Sequence, residues 1–107
     1  MAKQLPYSIS YVDAFRDHLA FIEPRHYATI RQKVKEQLSF EPHIETRNRK
    51  PLRPSPVFPD AWELRFGTTN RFRVFYQFDI KARTVVVLAA GVKIRSVLRI
   101  AGREIQL

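Results

Sequence analysis

The sequence predicts an α+β fold of β-α-α-β-β-β order, with two N-terminal helices on one face of an antiparallel sheet and a C-terminal β-hairpin. Three observations predict it. Apolar residues recur at helical spacing between residues 14 and 38. After residue 60 they alternate with a period of two, interrupted at Gly67–Asn70, Asp79–Arg83 and Ala101-Gly102. Between these regions, residues 39–60 hold five of the seven prolines and follow neither period.

Tyr7–Val12 alternates, Tyr7, Ile9 and Tyr11 against Ser8, Ser10 and Val12, and reads as a first strand. Asp13 is placed to cap a short helix over 14–22, whose Phe15, Leu19 and Ile22 share a face. Pro24 opens a second helix, where its missing N–H costs nothing. Tyr27, Ile30, Val34 and Leu38 run along that helix as one stripe, with Arg31, Lys33 and Lys35 off it. Two helices joined so closely form a helical hairpin. His18 and His26, on these helices, read as surface or boundary residues rather than ligands. Residues 39–60 read as neither helix nor strand but as a stiff extended segment.

The centre of the chain is 61–78. Trp62, Leu64 and Phe66 share one face with Phe72, Val74, Tyr76 and Phe78 of the next strand, the mark of a half-buried hairpin. Thr84–Ala90 is apolar on both faces and is expected to be the most buried strand, ending at Gly91. Val92–Ile100 alternates again, and Ala101-Gly102 suits a two-residue turn that faces Leu98 and Ile100 toward Ile105 and Leu107. The 107 residues are read as one domain, without internal repeats.

The formal charge of +9 is unevenly placed. Residues 1–45 hold six Lys/Arg and six Asp/Glu, whereas residues 46–107 hold thirteen and four. A basic half joined to a balanced half implies a polyanionic partner. There is no cysteine, hence no disulfide framework and no thiolate metal site. No apolar run is long enough to span a membrane or serve as a signal peptide, so no membrane partner and a cytoplasmic location are expected.

The second face of the central hairpin is the candidate working surface. It carries Glu63 and Arg65, then Arg71, Arg73, Phe75 and Gln77, three arginines to one carboxylate. Arg47, Arg49, Lys50 and Arg53 approach it through the proline-rich segment, and Arg95 and Arg99 follow it. Phe75 is suited to stacking on a base or to a place in the core.

Lys50-Pro51-Leu52, Trp62-Glu63-Leu64-Arg65-Phe66-Gly67, the Arg71–Asp79 strand and Val85-Val86-Val87-Leu88-Ala89-Ala90-Gly91-Val92-Lys93 stand in an order and spacing that resembles the RelE/ParE superfamily, the toxins of bacterial toxin–antitoxin pairs. The match covers about residues 7–99. The resemblance implies a ribosome-dependent mRNA endoribonuclease that needs no metal or other cofactor. It further implies a cognate antitoxin, held with the toxin in a hetero-oligomer. Arg73 matches the arginine of the family's Arg-Val-x-Tyr strand, which contacts the scissile phosphate, and Lys93 falls where a second catalytic arginine usually sits. Arg65 matches a basic residue of the preceding strand. Glu63 stands where RelE has a lysine, and Arg99 where RelE often has a base-stacking tyrosine.

Attack of an RNA 2′-hydroxyl on its own phosphate needs a base, cations for the crowded phosphate and an acid for the leaving oxygen. Arg65, Arg73, Arg71 and Lys93 or Arg95 are the candidate cations. Glu63 is the candidate base, with His43 and Glu45 behind it. The plain alternative for Glu63 is a cross-strand ion pair with Arg71 or Arg73. For the whole protein the alternatives are a non-nuclease relative acting on DNA gyrase and a non-catalytic nucleic-acid-binding module.

Overall fold

The computed structural model describes residues 4–53 and 55–107. In chain order they form β1 (Ser8–Tyr11), α1 (Ala14–Leu19), α2 (Tyr27–Leu38), β2 (Arg49–Pro51), β3 (Trp62–Phe66), β4 (Phe72–Asp79), β5 (Thr84–Ile94), β6 (Val97–Ile100) and β7 (Arg103–Glu104). Among the described residues one sheet of order β2-β3-β4-β5-β6-β7 results. This is the expected α+β class, with two departures. β1 pairs with β5 in parallel, and β2 adds a strand within a segment expected to have none.

The principal core lies between the helices and one face of the sheet. The α2 stripe buries Ile30, Val34 and Leu38 against Leu64, Val74, Tyr76, Val85 and Val87. Each fully buried side chain of this size contributes about 1.5–3 kcal/mol. The 3₁₀ turn Pro24–His26 leads into α2. The Tyr27 hydroxyl donates to the Leu19 carbonyl at 2.6 Å, tying the start of α2 to the end of α1. Two details of α1 differ from expectation. Asp13 is already helical (φ −57°, ψ −37°) and makes no side-chain cap bond, because a capping residue needs extended backbone. The helix stops at Leu19, after which Phe21 and Ile22 donate three residues back in tighter turns.

β5 does not stop at Gly91 but runs on to Ile94. A Cβ at Gly91 would lie 2.9 Å from both the Arg99 carbonyl oxygen and Ile100 Cγ1, so the glycine permits a close strand approach. A bulge is what changes the facing of β5. Phe75 pairs with Ala89 and Tyr76 with Val87, leaving Leu88 as the extra residue. Val85 and Val87 therefore meet the helices, while Ala89 joins a second apolar cluster with Phe75, Leu98 and Ile100 on the opposite face. The Ala101-Gly102 turn has positive φ at both residues (52° and 75°), as a two-residue hairpin of this hand requires. The terminal hairpin is closed by Ile105 N–H donating to the Leu98 carbonyl at 2.9 Å.

The proline-rich segment wraps the β2 edge. On the helix side, the buried Tyr76 hydroxyl donates to the Pro42 carbonyl at 2.7 Å. Burial pushes that phenol's pKa up, against the opposing pull of Arg49. On the other side Phe58 stacks on Phe75 at 4.8 Å, and Gln77 Nε2 donates to the Pro59 carbonyl at 2.8 Å.

Candidate functional site

Strand register decides which charges meet. In the β3–β4 hairpin Arg65 stands directly opposite Arg73, and Glu63 opposite Phe75. All four side chains belong to the face away from the helices. Glu63 Oε1 accepts from Arg65 Nε at 2.6 Å and from Arg73 Nη1 at 3.2 Å. Arg73 Nε donates to the Asn70 carbonyl at 2.8 Å, which braces it against the hairpin turn. Asn48 braces Arg65 from the other side, Nδ2 donating to the Arg65 carbonyl at 2.8 Å. Side-chain exposure is 5% for Glu63, 10% for Arg73 and 35% for Arg65, so Arg65 is the most accessible of the three.

Two lysines flank this cluster. Lys50 on β2 is the cross-strand partner of Glu63 and is exposed. Lys93 lies two residues beyond Gly91, the partner of Arg73, and so shares the face. The apolar cluster of Phe75, Ala89, Leu98 and Ile100, capped by Leu52 and Phe58, adjoins the charges. Arrayed this way, the face brings two guanidinium groups onto one carboxylate beside a covered apolar cluster.

Several residues expected on this face lie elsewhere. Arg71 swings to the helix side, Nη2 3.2 Å from His26 Nε2 and its guanidinium 4.9 Å from the centre of the Phe72 ring. Arg99 pairs with Val92 and faces the helix side as well. Arg71, Arg99, His18, His26 and Phe21 line a separate cavity of about 290 Å³ between α1 and the terminal hairpin. Arg49, opposite Leu64, is buried on the helix side. Its Nη1 donates to the Gln37 carbonyl at 2.7 Å and its Nε to the Ile44 carbonyl at 3.0 Å. Its guanidinium is engaged in holding the loop to α2, on the face opposite Arg65 and Arg73. Phe75 is fully buried beneath Phe58, which leaves no room for a base on its ring. Arg47, Arg53 and Arg95 are exposed, the last in the turn joining β5 to β6.

Of the candidate bases, His43 packs near Tyr7 and Phe78 on the helix side, and Glu45 is exposed in the loop. Glu63 alone among the three touches the arginines, and it takes the cross-strand ion pair with Arg73. His18, expected as a surface or boundary residue, has a structural part. Its Nδ1 accepts the N–H of Ala90 at 3.3 Å, beside the β5 bulge. Burial lowers its pKa, partly offset by Asp17. A bulge is invisible in the sequence, and so was its partner.

No helix among the described residues is long and apolar enough to cross a membrane. No family model and no curated protein matches the chain. Among solved structures it is similar to a chain of the toxin–antitoxin complex RelBE2 from Mycobacterium tuberculosis. The two share 29% identity at a TM-score of 0.68, over 87% of this chain and 98% of the other. The fold is RelE-like, as the sequence motifs implied.

Proposed function

We infer, from a RelE-like fold that concentrates Arg65, Arg73 and Glu63 on one sheet face, that this protein is the toxin of a toxin–antitoxin pair and cuts mRNA on the ribosome. The structural likeness supports the toxin; the clustered guanidinium groups support the chemistry. Arg65 and Arg73 bind the scissile phosphate and stabilise the charge that grows on it. The RNA 2′-oxygen forms a bond to phosphorus while the bond to the 5′-oxygen breaks. Glu63, once released from the guanidinium groups, takes the 2′-proton, and Lys93 supplies a proton to the leaving oxygen. Lys50 steadies the neighbouring backbone, with Arg47, Arg53 and Arg95 further out. A small site of this kind suffices when ribosome and mRNA supply much of the positioning.

The partner is a cognate antitoxin whose acidic or amphipathic segment covers the basic face. Translation as the target places the toxin in the cytoplasm. The test is expression without antitoxin, with growth, protein synthesis and mRNA integrity followed together. Growth arrest with cut mRNA is the expected result, and Arg73→Ala should reduce cleavage by about 10²–10³-fold. A fully toxic Arg73→Ala protein removes the assignment, and DNA-damage signalling with intact mRNA points to gyrase instead.

A further inference from the structure

Arg65 and Arg73 are direct cross-strand neighbours, an arrangement in which like charges repel. With Arg73 only 10% exposed, water screens that repulsion poorly. A single carboxylate oxygen resolves it. Glu63 Oε1 accepts from both guanidinium groups, at 2.6 Å and 3.2 Å, and the side chain is almost wholly buried. Two convergent arginine donors on one anionic oxygen is also how proteins hold a phosphate. The three side chains carry one net positive charge, and a phosphodiester, also a monoanion, replaces the carboxylate without changing it.

We propose that Glu63 is an internal anion filling the phosphate seat of the free protein, and that a phosphodiester binds by displacing it. The proposal rests on the RNA-cutting reading above for the identity of the incoming anion. Displacement has an outlet, because the exposed Lys50 stands directly opposite Glu63 on β2 and offers the carboxylate a second cation. It also has a consequence for specificity. A polyanion that merely meets the basic surface gains little, since the carboxylate competes for the same donors. RNA that is held by further contacts has the binding energy to move it. Glu63 thereby raises the threshold for binding in a protein whose charge would otherwise attract any nucleic acid.

The experiment is calorimetric titration with two probes that cannot be cut: inorganic phosphate, and a short single-stranded DNA, which lacks the 2′-hydroxyl. Glu63→Gln and Glu63→Ala should each bind both probes about tenfold more tightly than the unaltered protein. Adding Arg73→Ala should remove the gain. Glu63→Gln keeps the shape and one acceptor oxygen, so it answers the question even where Glu63→Ala fails to fold. Unchanged or weaker binding in cooperatively melting Glu63→Gln protein overturns the proposal, as does a gain that survives Arg73→Ala. Neither probe is a substrate, so this failure is distinct from that of the nuclease reading, which would show as uncut mRNA in arrested cells.

Discussion

Arg49 and Lys50 are adjacent in sequence and serve opposite faces of the sheet, because β2 sends alternate side chains to alternate sides. One braces the loop from within; the other flanks the candidate phosphate seat. His18 shows the same dependence on placement. Its Nδ1 must stay unprotonated to accept the Ala90 N–H, and burial favours that neutral form. A histidine whose folded-state pKa is depressed stabilises the fold fully above its ordinary value of about 6.5 and loses that contribution as pH falls through the folded value. Acidification from about pH 7.5 to about pH 5 should therefore lower the unfolding midpoint more in the unaltered protein than in His18→Gln. Thermal melts across that range check it, and equal acid sensitivity in both proteins refutes it.

At the scale of elements, the proline-rich segment is docked scaffolding that wraps the sheet edge. Arg49 ties it to the last turn of α2 through the Gln37 carbonyl and folds it on itself through the Ile44 carbonyl, while Phe58 closes over Phe75 on the far side. Removing that guanidinium empties a buried position and leaves two part-buried carbonyls without their donor. Arg49→Ala should destabilise the protein by about 2–4 kcal/mol in urea unfolding. A surface arginine that only touched RNA would shift stability by less than about 0.5 kcal/mol, so the measurement separates the two roles. Gly91 carries a similar lesson for β5. Glycine suggests a strand end there, yet Gly91 lies inside the strand, where β6 approaches too closely for any side chain.

For the whole molecule, the +9 charge and its concentration after residue 45 favour encounters with polyanions. Lys50, Arg65 and Lys93 are grouped on the site face by strand register, with exposed Arg47, Arg53 and Arg95 in the connecting segments. If about four of these cations neutralise phosphates, the logarithm of affinity for single-stranded RNA should fall with the logarithm of salt concentration at a slope of about −3. Fluorescence titration over a range of salt measures the slope. A slope near zero would mean that the basic half does not grip the backbone. Arg71 and Arg99 should contribute little to it, since both face the cavity beside α1.

Beyond the RelE-like resemblance carried by its motifs, the sequence by itself determined the fold class, the α2 stripe, the central hairpin with its two faces and the terminal turn. These are local patterns, legible because side-chain direction in a helix or strand follows from spacing alone. Only the tertiary structure decided that β1 pairs in parallel with β5, that a bulge at Leu88 swaps the faces of that strand, and that β2 turns Arg49 inward and Lys50 outward. It also separated Arg71 from Arg65 and Arg73, and set Glu63 between the two that remain. The physical reason is that pairing partners, register and bulges depend on contacts between residues distant in the chain. A one-residue change in register moves a charge from one side of the sheet to the other.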